Sequence, residues 1–186
     1  KKFNGTSWVS VGTSFIGARV SGRSIAIDSG GTPYVVFKNN SPGFTDVKKF
    51  NGTSWVNVGS IPTSTFSTEY HSIAIDSNDK PIICYSLSGT ALVKKFDGTN
   101  WITLGGSVAT NAYYCSLALD SSDTPYVAFQ DYNNTSKSTS VFKFNGTAWE
   151  VVGAKNFSEH NSTNISMAID NAGTPYVSYG FFNASL

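Results

Sequence analysis

Cysteine is nearly absent: Cys84 and Cys115 are the only two in 186 residues. Two thiols cannot make the disulfide framework of a small secreted domain, and neither sits in a C-x-x-C pair suited to zinc. Both fall inside apolar runs and read as ordinary buried thiols. Charge is also scarce. Asp, Glu, Lys and Arg make up 13% of the chain, the formal net charge is +1, and lysines cluster only in pairs. Nucleic acid and anionic membrane surfaces require a basic patch that displaces counterions, so the balance argues against both. Apolar runs stop at four or five residues, too short for a membrane-spanning helix. Methionine occurs once, Leu and Glu are sparse, and no stretch shows helical periodicity. No leader-like segment is visible, and the missing initial Met reads as a processed or excised piece.

What is abundant is Ser, Thr, Asn, Gly and aromatics, the composition of short strands joined by many turns. It is organised as a repeat. "KKFNGTSWVSVG" at Lys1–Gly12 returns at Val47–Gly59, Val93–Gly105 and Val141–Gly153. Trp8, Trp55, Trp101 and Trp149 are 47, 46 and 48 residues apart. A second phrase alternates with the first, as in "SIAIDSGGTPYVVF" from Ser24, and carries Asp28, Asp76, Asp120 and Asp170. Each phrase reads as a hairpin. Asn-Gly turns one, and an Asp-led turn before a strand-opening Pro turns the other. Four short strands per period, called A (SIAID), B (PYVVF), C (VKKF) and D (SWVNVG), predict an all-β β-propeller of four-stranded antiparallel blades.

Full blades are expected at 24–59, 72–105 and 116–153. Residues 1–12 supply strands C and D of a fourth blade, and 165–182 supply its strands A and B. Pairing Tyr176–Tyr179 with Lys1–Asn4 would complete it in a 2+2 seam and remove two bare sheet edges. Three closures stay open: one chain making four blades, two chains making eight, or a segment of a longer array.

The phrase "SIAIDSGGTPYVVFKNN…VKKFNG" resembles the NHL-type repeat, and the added "NGTSWVNVG" hairpin is similar to the outer strands of kelch-like propellers and of repeats in bacterial secreted and surface proteins. The chain departs from both. Phe37, Tyr85, Phe129 and Tyr179 follow the Tyr-Val run where NHL repeats often carry Asp, and the paired kelch glycines are missing. The sialidase Asp-box is matched only by Asp28–Thr32. The resemblance implies a binding or scaffold propeller.

Comparison of the four units locates where function would sit. The A–B and C–D turns are nearly constant and share one rim. The D–A and B–C connections vary and share the other, and variable loops on a fixed scaffold are where binding resides. The residue before strand A's serine is Arg23, His71, Cys115 or Ile165, a column expected near the mouth of the central channel. Phe15, Phe66, Tyr70, Tyr113, Tyr114, Tyr132 and Phe157 lie close by in sequence. Aromatic faces beside Asn, Asp and Ser, such as Asp131, suit sugars through stacking and hydrogen bonds. Ligand-binding candidates are therefore Arg23, Tyr70, His71, Tyr113, Tyr114, Asp131 and Tyr132. Glu69 beside His71, and Glu159 beside His160, are the acid–base pairs an enzyme would draw on. No nucleophile elbow, phosphate loop or zinc signature accompanies them, and no cofactor or metal is implied. Sequons at Asn39, Asn133, Asn156, Asn161 and Asn164 fall in variable loops and would accept glycans in a secreted protein.

These features point first to a non-catalytic extracellular or cell-surface propeller that binds a carbohydrate or protein at its variable rim. The second reading is a structural module that builds rings or filaments through its half-blades. The third is a glycosidase-like enzyme on the propeller axis, dependent on His71.

Overall fold

The computed structural model describes residues 1–13, 20–39, 44–59, 61, 68–133 and 135–182. Among the described residues there are strands and turns only. Three four-stranded antiparallel sheets follow one another along the chain. The first joins β3 (Val20–Ile27), β4 (Pro33–Asn39), β5 (Thr45–Phe50) and β6 (Trp55–Asn57). The second joins β7 (Thr68–Ile75), β8 (Pro81–Leu87), β9 (Thr90–Phe96) and β10 (Trp101–Thr110). The third joins β11 (Ala112–Leu119), β12 (Pro125–Asp131), β13 (Thr139–Phe144) and β14 (Trp149–Val151). Before them lies the two-stranded sheet β1 (Lys2–Phe3) and β2 (Trp8–Val9), and after them β15 (Asn161–Ile169) with β16 (Pro175–Phe182). The fold is all-β and of β-propeller type, with each sheet a blade.

Turn chemistry explains the hairpins. Asn51 Oδ1 accepts the Thr53 and Ser54 amides at 3.0 and 2.8 Å, and Asn4, Asp97 and Asn145 cap their own turns alike. In the other turn, Asp76 Oδ1 accepts the amides of Asn78 and Lys80 at 3.0 and 2.8 Å. Asp120 and Asp170 repeat both bonds, and Asp28 Oδ1 holds the Thr32 amide. The side chain thus nucleates the turn locally, and the four recurring aspartates are structural.

Blade packing follows from strand alternation. Ala26, Tyr34, Val36 and Val47 of the first blade face Ile73, Ile83, Tyr85 and Trp101 of the second. Ile82, Cys84 and Val93 of the second face Leu117, Val127, Phe129 and Trp149 of the third. Tyr126, Ala128 and Val141 of the third then face Ile165, Met167, Val177 and Tyr179. Alanine recurs on strand A because neighbouring strands converge there, and β3, β7, β11 and β15 pack in succession. Cys84 and Cys115 are free and buried together in the second interface. Burial, and then the Cys115 side chain beside it, push the Cys84 thiol well up, as befits an inert core thiol.

Recurring polar contacts fix the spacing of blades. Three of the four Trp indoles donate to a carbonyl of the preceding unit: Trp55 to Val11 at 2.8 Å, Trp101 to Val58 at 2.7 Å and Trp149 to Leu104 at 2.8 Å. Ser24, Ser72 and Ser116 Oγ accept the amides of Ile73, Leu117 and Met167 in the next blade. The sheets β1–β2 and β15–β16 stand apart, so the expected pairing of Tyr176–Tyr179 with Lys1–Asn4 is not made within the chain. Ile25 is accordingly 63% exposed, where its counterpart Ile73 is 6% exposed.

Candidate functional site

Every A strand carries a β-bulge just before its serine. Register shifts occur between Ser21 and Ser24, Glu69 and Ser72, Tyr113 and Ser116, and Thr163 and Ser166. At each bulge one residue takes a left-handed backbone: Gly22 (φ 54°), Tyr70 (φ 55°), Tyr114 (φ 52°) and Asn164 (φ 49°). Gly and Asn tolerate this region, whereas a bulky side chain there is strained by about 1–3 kcal/mol. Two tyrosines hold it at adjacent blades. Bulges of this kind re-aim side chains, and here they gather aromatic rings.

Tyr70 and Tyr114 pack with centroids 4.5 Å apart, Tyr113 meets Tyr70 edge-on at 6.2 Å, and Tyr132 lies 4.6 Å from Tyr113. Tyr132 is 41% exposed and the other three are half-buried, so the cluster has an outer aromatic surface. Lys137 Nζ sits 4.7 Å from the Tyr132 ring. Asn133 supports the edge: its side-chain amide donates to the Thr110 carbonyl and its carbonyl accepts from Asn111. Burial, then the neighbouring Tyr114 and Glu69, push the Tyr70 hydroxyl up to about 12. It stays protonated at neutral pH, and its hydroxyl is hydrogen-bonded with Tyr114.

The column before the serines converges. Arg23, His71, Cys115 and Ile165 line one hollow of about 140 Å³, together with Gly22, Tyr70, Tyr114 and Asn164. A second hollow of about 330 Å³ opens beside it between the first two blades, lined by Ser21, Gly22, Lys38, Glu69 and Tyr70. Tyr70 borders both.

His71 is not a free rim group. It is buried, its Nε2 is 2.8 Å from Thr45 Oγ1, and its ring stacks on Tyr85. Burial, assisted by Lys38, lowers its pKa to about 4, so the ring is neutral at physiological pH. Its Nδ1 is buried against Gly22, where an added Cβ would come within 2.8 Å. Glu69, by contrast, is exposed on the outer hollow. Asp131 is buried and accepts the Asn133 amide, a loop-forming role. Arg23 is exposed. His160 packs on Phe181, and Phe157 packs on Tyr179. Phe15 and Phe66 lie outside the described residues.

Of the sequons, Asn164 is exposed, while Asn39 donates to Asp46, Asn133 braces the rim, and Asn156 and Asn161 bond Ser140 and Gln130. The left-handed bulge is what residue-by-residue reading missed. Its signal was present in the aligned column Gly22, Tyr70, Tyr114, Asn164, where Gly and Asn share a position.

No protein-family model matches the chain. No curated protein matches it either. Solved structures match in fold. A protein of unknown function from Dyadobacter fermentans superposes with a TM-score of 0.62 at 11% identity, over 85% of this chain and 48% of its own. An exo-1,5-α-L-arabinanase from a bovine ruminal metagenomic library gives 0.50 at 13%, over 91% of this chain and 71% of its own. An exo-β-1,3-galactanase from Clostridium thermocellum gives 0.50 at 9%, over 86% and 41%. The chain thus spans less than half of the Dyadobacter and galactanase chains. At these identities the likeness is one of fold, and the class it defines is the all-β propeller blade array.

Proposed function

We propose that the protein binds neutral carbohydrate at the rim between its first three blades, through Tyr70, Tyr113, Tyr114 and Tyr132, in a secreted or cell-surface setting. The observation that carries this reading is the pair of tyrosines kept at left-handed positions that glycine and asparagine occupy in the flanking blades. Two bulky residues strained side by side, next to an exposed aromatic surface, support a functional position at this rim. Aromatic faces take up the C–H face of a sugar ring, and Asn111, Glu69, Lys137 and the tyrosine hydroxyls surround them with donors and acceptors. The near absence of net charge on the chain favours a neutral ligand.

Two of the fold neighbours are glycosidases by name, so turnover is the alternative to test. Glycoside hydrolysis uses a pair of carboxyl groups at a set separation. Among the described residues, Glu69 alone supplies a carboxylate to the two hollows at this rim. Binding without cleavage is the better fit.

The test is a glycan array probed with the full 186-residue chain, followed by assay of each bound glycan for released reducing sugar. Retention of neutral glycans without release is expected. A flat array would remove the reading, and release of sugar would replace it with catalysis.

A further inference from the structure

The aromatic line at the rim leads into a hollow. Ring centroids are 4.6 Å apart from Tyr132 to Tyr113 and 6.2 Å apart from Tyr113 to Tyr70, so the rings run from the third blade to the second. Tyr70 then borders the hollow of about 330 Å³ between the second blade and the first. That volume falls within the range of small-molecule sites, about 300–1,000 Å³. One sugar ring covers one aromatic face, and a line of rings that ends in a hollow has room for more than one.

Three strands build the walls of this hollow. β3 contributes Ser21 and Gly22, β4 contributes Lys38, and β7 contributes Glu69 and Tyr70. Gly22 keeps its part of the wall bare, because a Cβ there would come within 2.8 Å of the buried His71 Nδ1. The bulged strand β7 buries Thr68 and His71 and leaves Glu69 exposed between them. The Glu69 carboxylate forms no hydrogen bond or ion pair among the described residues. The hollow thus sets an aromatic ring beside one anionic and one cationic side chain.

We propose that this hollow is a second sugar subsite and that the ligand is an oligosaccharide of at least two residues, with Glu69 and Lys38 setting its specificity. The inference rests on the carbohydrate reading of the rim. One residue lies on Tyr113 and Tyr132, and the next reaches past Tyr70 into the hollow. There one hydroxyl donates to the Glu69 carboxylate and a neighbouring hydroxyl accepts from the Lys38 ammonium. A ligand that both donates and accepts satisfies the two charges together, as adjacent hydroxyls of a neutral sugar do. An anionic substituent would meet Glu69 and a cationic one Lys38, so the preference for a neutral ligand extends inward from the rim.

Calorimetric titration of the full 186-residue chain decides it. The probes are the terminal disaccharide of the strongest neutral glycan on the array and the methyl glycoside of its end residue. The readout is the ratio of the two affinities within each protein. The parent is expected to hold the disaccharide at least about tenfold more tightly, the worth of a hydrogen bond to a charged group. Glu69→Gln and Lys38→Met are each expected to cut that ratio to about threefold or less. Tyr132→Ala, by contrast, weakens both sugars and keeps the ratio of the parent. Equal affinities in the parent would overturn the second subsite and leave the rim reading standing. So would a high ratio that survives both Glu69→Gln and Lys38→Met, because the second residue would then be held elsewhere. A parent that binds no array glycan would overturn the rim reading itself, and the subsite with it.

Discussion

At the scale of single residues, conformation and chemistry conflict in two places, each with a measurable consequence. Gly22 has a left-handed backbone and lies against the buried Nδ1 of His71. Gly22→Ala adds both strain and a clash, and a loss of about 1–3 kcal/mol in unfolding free energy is expected by urea titration. His71 gives a pH dependence whose sign is fixed. Its folded-state pKa of about 4 lies below the unfolded value of 6.5. Between those values the unfolded chain binds a proton that the native chain refuses. Stability is therefore full above about pH 6.5 and declines as pH falls towards 4, by up to ~3 kcal/mol. The carboxylates of Asp79, held low by the Ser29 amide and hydroxyl, and Asp97, held low by the Asn100 and Thr99 amides, add their own losses only at lower pH. Urea midpoints at about pH 7.5 and about pH 4.5 should differ less in His71→Gln than in the parent. An unchanged difference would remove His71 as the titrating group.

At the scale of elements, the hairpins were legible because their signals are local. Asn51-Gly52 and the Asp28 turn each need only a side chain and the amides two to four residues on, and those bonds formed as expected. The bulge before each serine was not legible in the same way. It depends on the register of β3, β7, β11 and β15 against their partners, and a residue such as Tyr114 announces nothing about φ on its own. His71 was read as a channel-mouth ligand for a similar reason. It stands in the column that lines the small hollow, and Thr45 and Tyr85, which enclose it, come from two other strands. Trp101 is a buried core residue with an added duty. The Trp101 indole satisfies the Val58 carbonyl, and both residues are buried. Trp101→Phe leaves that carbonyl unpaired, and a destabilisation of about 1–3 kcal/mol is expected from the shift in denaturant midpoint.

At the scale of the whole molecule, the repeat predicted blades, and blades are what form. The closure of the array was not legible, because it turns on the small angular step between successive sheets, which no residue spacing encodes. The described chain packs its blades in succession and leaves apolar faces at both ends. Protection should follow that gradient. β8 and β12 run almost wholly buried, whereas β1 and β15 alternate with solvent or lie open to it. Amide exchange is expected to be slowest in β8 and β12 and fastest in β1 and β2. Uniform exchange across the blades would contradict the described packing.

The central claim is that the rim tyrosines are strained for a ligand rather than for the fold. Tyr114→Gly tests it most directly, because glycine fits φ 52° without penalty and removes only the ring. The measurement is affinity for the strongest glycan from the array, taken beside the melting temperature of the same sample. The account predicts binding reduced at least about tenfold, a loss of about 1.4 kcal/mol or more. It also predicts a melting temperature within a few degrees of the parent, since strain relief offsets lost burial. Undiminished affinity, or a collapse of stability with Tyr114→Gly, would show that this ring serves the core and not a ligand.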